Sequence, residues 1–443
     1  MSRLWITIIL VLVIADPVPA SDTGGESAGE PTNWSSTFRD DLQAARRIIL
    51  ESHPGPVDTL NPGFGDWLDI GFEQQMALAE SVDTADEYVY AMLRYIGGFR
   101  DGHLGIRFDV ERGPARWPGF FATWRNGAVV VHSVDPAIVS ELAEGDRLKS
   151  CDGQIAEQLV RQRVFNFQFD PALPAYWVPA AARAFVDLGN PFVSAPQKCV
   201  FVREDKEIAI DLEWQELSWD DRRDDYYAAR GQAQPEIGLY VPEPDVYWLQ
   251  ASTFGPNEAQ VAKYNDAFRQ LREARTTAKL VVLDLRGNNG GSSMWGDLFA
   301  EALWDVSPDG DENDSAYVEW RASEGNIAYW ETVPSILQKQ FGDSHASIDW
   351  ANHILRNLVT TMKEGQDLWR ETPVDGEQES QDDSIADHTD PLTPKYSGTV
   401  VALTDTSCGS ACLDAMSLLN DLPEVVHVGS VTNADTQYME SRA

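Results

Sequence analysis

Residues 399–421, TVVALTDTSCGSACLDAMSLLND, read as a buried strand that breaks into a tight turn and restarts as a helix. Val400, Val401, Ala402 and Leu403 form a short apolar run, ended by the turn-formers from Thr404 to Gly409. Beyond the turn, Ala411, Met416, Leu418 and Leu419 fit one face of a helix packed on the same core. Ser410 stands at the handover. A hydroxyl there is held by two rigid elements, beside backbone N–H groups with no helical partner and near the positive end of a helix dipole. The placement suits nucleophilic acyl chemistry, where an oxyanion needs donors, and it equally suits a helix N-cap.

A second stretch, KLVVLDLRGNNGGSSM at 279–294, repeats the pattern. Leu280, Val281, Val282, Leu283 and Leu285 make a buried strand, and Gly287, Gly290 and Gly291 let the backbone turn sharply at its C-terminal end. Ligands of open α/β sheets bind outside the carboxyl ends of strands, so two such loops place Gly290 or Gly291 opposite Ser410. A phosphate cradle is the competing use of a Gly-rich loop, but the chain has neither GxGxxG nor GxxxxGK[ST] here.

Together, LDLRGNNGG and TSCGSACLD resemble the paired signatures of the S41 peptidases, the carboxyl-terminal processing and tricorn-type proteases. The resemblance implies an α/β catalytic domain with a ClpP- and crotonase-like βαβ core, an N-terminal helical cap and a PDZ-like β module. It makes Ser410 the nucleophile, and Ala411 with Gly290 or Gly291 the oxyanion donors.

In chain order, Arg3, the apolar run Leu4–Ala15 and Val18-Pro19-Ala20 read as a signal peptide over 1–20, too short in its apolar part to span a bilayer. Residues 21–34 read as a flexible leader. The expectation is an exported protein, periplasmic or extracellular, without a membrane anchor after cleavage. A balance of 34 Lys plus Arg against 71 Asp plus Glu, net −37, disfavours nucleic acid and anionic lipid as partners. Residues 35–110 are the helical cap: Leu42, Ala45, Ile48 and Ile49 recur at helical spacing, as do Tyr88, Met92, Tyr95 and Ile96. The cap runs into GGFRDGHLGIRF at 97–108, and in S41 members lacking the catalytic lysine a D-G-H-like segment carries the histidine base. By resemblance His103 is the general base; its other reading is a structural turn histidine.

Residues 111–165 alternate as a β module whose GDRLKSCDG turn resembles a PDZ domain, with Pro118, Gly119 and Phe120 as the loop that would receive a peptide carboxylate. Residues 166–443 are assigned to the catalytic domain. Within them Ala180–Val186 reads as a helix, Lys198–Leu212 as strands, and Trp219–Tyr227 as a solvated connection. A Val246–Leu249 strand, an amphipathic Glu258–Arg275 helix and the Leu280 strand make a βαβ unit. Residues 306–395 read as an acidic insertion with helices at Ile327–Gln340 and Ile348–Lys363 and a disordered loop at Gly376–Pro394; lid and decoration are both open readings.

No lysine follows Lys395, so a Ser–Lys dyad is excluded, and a Lys-less Ser/His/carboxylate variant is expected. Asp435 and Glu440 are the local candidates for the carboxylate, while Asp414 and Asp421 read as structural. The stop at Ala443 without a closing element reads as truncation. A Cys408–Cys412 bond would straddle Ser410, with free buried thiols the alternative. Cysteine spacing and scattered histidines predict no metal, and no cofactor is expected. The reading is an exported serine endopeptidase acting on protein or peptide substrates. The alternative is an inactive peptide- or small-ligand-binding protein on the same fold, and a small-ester hydrolase is a third possibility.

Overall fold

The computed structural model describes residues 32–232, 235–305, 317–341, 346–371, 396–420, 422, 424–434 and 438. Its centre is a five-stranded sheet in the order Val425–Gly429, Thr399–Thr404, Leu280–Asp284, Val246–Gln250, Gly238–Glu243. Neighbours among the first four run parallel, and Gly238–Glu243 closes the sheet antiparallel. Strands covered on both faces read as unbroken apolar runs, and every position of Leu280–Asp284 and Thr399–Thr404 is buried or half-buried, so neither carries polar alternation. Three helices cover them: Glu258–Ala274, Met294–Trp304 and Ala411–Asn420. The first opens on a capping box, in which Asn257 and Gln260 satisfy each other's backbone N–H groups, so the crossover between the Val246 and Leu280 strands has a defined start.

Register decides where the loops fall. Leu280 stands opposite Thr399 and Asp284 opposite Leu403, so both strands end at one edge and the loops that follow emerge side by side.

A separate antiparallel body packs around Phe120, Val131, Leu148, Phe185 and Phe201. Its strands run in the order Phe120–Arg125, Ala128–Val134, Arg147–Cys151, Lys198–Arg203, Lys206–Asp211. Cys151 and Cys199 face each other in register and are joined by a disulfide. A boundary at 165 therefore divides this sheet, because the Lys198–Asp211 hairpin completes it from well downstream. The WPGF loop differs from the expectation as well. Pro118, Gly119 and Phe120 are buried, Gly119 O accepts the Asp135 N–H at 2.7 Å, and a Cβ at Gly119 would lie 2.5 Å from Ile138. These three residues are thus packed into the fold and not displayed on an open loop.

The N-terminal cap consists of the helices Trp34–Ser52, Pro62–Met76 and Ala85–Gly97 around Phe38, Leu42, Phe64 and Tyr95. Residues 219–227, read as a solvated connection, lie in the helix Trp219–Ala229 instead. Trp219 and Tyr226 lie two turns apart with ring centroids 5.2 Å from each other, and Tyr226 is buried against Phe121. Those two rings anchor an otherwise charged helix. The described part of the insertion has its own core of Trp330, Leu337, Ile354 and Leu358, against which Trp320 and Trp369 of the antiparallel strand pair Glu319–Arg321 and Leu368–Arg370 pack. The loop expected at Gly376–Pro394 lies outside the described residues, as do residues 1–31.

Candidate active site

The two loops meet at Ser410. The chain turns there in the left-handed conformation, φ +52, which a residue with a Cβ adopts at a cost of about 1 kcal/mol. The neighbours Thr404–Gly409 and Ala411–Cys412 are buried, and Ser410 between them is partly exposed. The disulfide Cys408–Cys412 brackets it, so of the two sequence readings, a bond or free buried thiols, the bond is the one present. The Leu413 N–H donates to Ser410 O at 2.7 Å and the Cys412 N–H to Gly409 O at 3.1 Å, so the turn passes straight into the helix.

Gly290 and Gly291, at φ +101 and +136, lie against this elbow. A Cβ at Gly290 would sit 2.7 Å from Ser410 Cβ and 3.1 Å from its Oγ, and one at Gly291 would sit 2.0 Å from the Phe254 carbonyl carbon. Glycine is thus required at both positions for the loop to approach the hydroxyl. The two amides differ. The Gly290 N–H donates to Asn288 Oδ1 at 2.9 Å, whereas among the described residues no hydrogen bond occupies the Gly291 or the Ala411 N–H. Of the glycine pair, Gly291 therefore has the amide available, and Gly290 supplies the bare wall beside Ser410.

Two residues that the sequence did not single out hold the loops together. Asn288 is fully buried; its side chain donates to Ala251 O at 2.7 Å as well as accepting from Gly290, and its carbonyl accepts the Gly409 N–H at 3.4 Å. Asp405, also buried, accepts the Gly287 N–H at 3.0 Å and the Ser407 N–H at 2.9 Å, one from each loop. At the strand end Asp284 grips Arg286 through 2.8 and 2.7 Å bonds, and this pairing raises the Arg286 guanidinium's proton affinity. Asn and Asp in turns commonly bond nearby backbone, so the signal for Asn288 and Asp405 was their position in the two loops. Near the elbow, Asp414 Oδ2 accepts from Ser293 Oγ at 2.6 Å, a bond between the helices that follow the two loops.

His103 lies in a partly buried turn of the cap, with its N–H donating to Asp101 Oδ1 at 2.9 Å. The other oxygen of Asp101 faces a second histidine, His53, at 3.0 Å. The chain leaving the central sheet approaches both regions. The Asn433 N–H donates to Cys408 O at 2.8 Å at the elbow, and Tyr438 packs on the cap with its ring centroid 4.8 Å from that of His53. Asp435, Glu440 and Asp421 lie outside the described residues. Among the described residues no group of His, Cys, Asp and Glu is arranged to hold a metal.

No family model and no curated protein sequence matches the chain. Solved structures do. Mature CPAF superposes with a TM-score of 0.60 at 12% identity, covering 90% of this chain and 84% of that one. CPAF complexed with lactacystin gives 0.58 at 13%, covering 90% and 85%. The photosystem II D1 C-terminal processing protease, at a TM-score of 0.29 and 13% identity, covers 91% and 82% and adds no weight. The likeness shows the fold, a mixed α/β architecture like that of CPAF.

Proposed function

We propose that the chain is a serine peptidase of S41 type in which Ser410 forms an acyl-enzyme. The observation that carries this reading is the glycine wall. Gly290 is pressed to within a Cβ's reach of Ser410, and the Gly291 and Ala411 amides, which no hydrogen bond among the described residues occupies, flank it. In the proposed reaction Ser410 Oγ attacks the scissile carbonyl while its proton passes to the His103 imidazole. The carbonyl oxygen, now negative, takes hydrogen bonds from Ala411 and Gly291. His103 returns the proton to the leaving amine, and a water deprotonated by the same imidazole then cleaves the ester. Asp435 or Glu440 would hold the imidazolium. Preformed backbone donors cost no reorganisation during the reaction, and each such donor is worth roughly 10²–10³-fold in rate.

The substrate is proposed to be protein or peptide, in keeping with the peptidase type of the fold. Export is supported by the two disulfides, Cys151–Cys199 and Cys408–Cys412, which persist in oxidising compartments. No helix of the described residues is long and apolar enough to cross a membrane. A fluorophosphonate probe on the full chain tests the nucleophile: the expected outcome is covalent labelling that disappears in Ser410→Ala. A folded chain that takes no label would replace the peptidase with a binding protein on the same scaffold.

A further inference from the structure

The cap contains a second histidine whose two ring nitrogens are both engaged. The Gly55 N–H donates to His53 Nδ1 at 3.0 Å, so Nδ1 carries no proton; Nε2 then carries it and donates to Asp101 Oδ2 at 3.0 Å. The ring is held on its faces too. It stacks on Phe64 with centroids 4.6 Å apart and planes 6° from parallel, and it meets the edge of Tyr438. Gly55 must be glycine for this, because a Cβ there would lie 2.5 Å from the Phe64 ring. A histidine fixed at both nitrogens has no lone pair left to accept a nucleophile's proton. It does fix Asp101, which is buried and whose other oxygen binds the His103 N–H.

We infer that His53 is a positioning residue for the reaction proposed above: through Asp101 it sets the Asp101–His103 turn and hence the imidazole of His103. The assignment rests on the reading of Ser410 and His103 as nucleophile and base. His53 is itself braced from outside the cap. It follows directly after Ser52, the last residue of the Trp34–Ser52 helix, whose carbonyl accepts from Asn326 Nδ2 at 3.1 Å and whose hydroxyl accepts from Ser323 Oγ at 3.1 Å. Ser323 and Asn326 belong to the insertion. The insertion thus holds the helix end from which His53 projects, and a route of direct contacts runs Asn326, Ser52, His53, Asp101, His103.

The test compares His53→Ala with His53→Gln in the full chain, reading the rate of fluorophosphonate labelling at Ser410 beside the melting temperature. Glutamine keeps an N–H donor for Asp101, whereas alanine leaves that carboxylate short of a partner. The expected result is a labelling rate reduced about 10- to 100-fold in His53→Ala, the scale of an ångström-sized misplacement of a catalytic group. In His53→Gln the rate should stay within about threefold of wild type. A wild-type rate in His53→Ala overturns the inference. So do equal losses in both variants that follow equal falls in melting temperature, since these mark a merely structural residue. An unlabelled wild-type chain removes the peptidase reading and this inference together, whereas a labelled chain indifferent to His53 removes this inference alone.

Discussion

Ser410 keeps a left-handed backbone although it carries a Cβ, and the cysteines two residues to either side are bonded to each other. A non-glycine residue stays in that conformation only where its surroundings over-determine it. Here the surroundings are the disulfide, the Asn288 carbonyl on the Gly409 N–H, and the Asp405 carboxylate on Ser407. Both cysteines are fully buried, so the bond works as a brace and lies out of reach of a reductant in the folded protein. Replacing both by alanine opens a loop of only a few residues and should lower stability by about 2 kcal/mol at most. The labelling rate at Ser410 should fall more than that suggests, by about 10-fold or more, as the hydroxyl swings away from Gly291 and Ala411. Mass spectrometry of the labelled fraction against time checks this, and an unchanged rate in a folded variant would assign the geometry to Asn288 and Asp405 instead.

Among the elements, the helices that follow the two loops, Met294–Trp304 and Ala411–Asn420, cross closely enough that a Cβ at Gly296 would lie 2.7 Å from Ala415 Cβ. Each brings a carboxylate in its first turn, Asp297 and Asp414. Burial first, and the charge of Asp414 second, push the Asp297 carboxyl above the ordinary carboxylate range. The folded state therefore holds this proton more tightly than the unfolded chain does. Asp297 supports the fold while protonated, and that support is lost as pH rises through its raised value. Asp297→Asn should melt higher at pH 7, by roughly 2 °C, and the advantage should vanish below about pH 3.9, where the carboxyl is protonated in both states. An advantage persisting in acid would mean that the amide gains a contact of its own. These same elements were the most legible in the sequence. Every position of the Leu280 and Thr399 strands is buried or half-buried, so their apolar runs and the Gly and Ser turns after them needed no knowledge of partners. The Lys198–Asp211 hairpin was legible as strands but not as part of the upstream sheet, since its mate Arg147–Cys151 lies far back in the chain. The helix at Trp219 was hidden by its charge, and His53 by the fact that its meaning comes from Asp101, 48 positions away.

Across the whole molecule, the described part of the insertion meets the cap through a buried polar joint. Asn326 is fully buried; its Nδ2 donates both to Ser52 O on the cap helix and to Arg321 O at 2.7 Å within the insertion, while Ser323 Oγ reaches the Ser52 hydroxyl. Polar joints of this kind set geometry more than affinity, because each partner must meet the other or be left unpaired in a dry place. Asn326→Ala leaves the Ser52 and Arg321 carbonyls short of a donor, at a cost of about 1–3 kcal/mol. The loss should be local. Amide hydrogen exchange should quicken in the insertion helices Glu324–Trp330 and Ala346–Lys363 and in the last turn of Trp34–Ser52, with the Val246–Gln250 and Leu280–Asp284 strands unchanged. Exchange that rises uniformly through the central sheet would show that the insertion shares in global stability. Faster exchange confined to the insertion, with the cap helix end still protected, would break the route from the insertion to His53 and leave that histidine to its contacts within the cap.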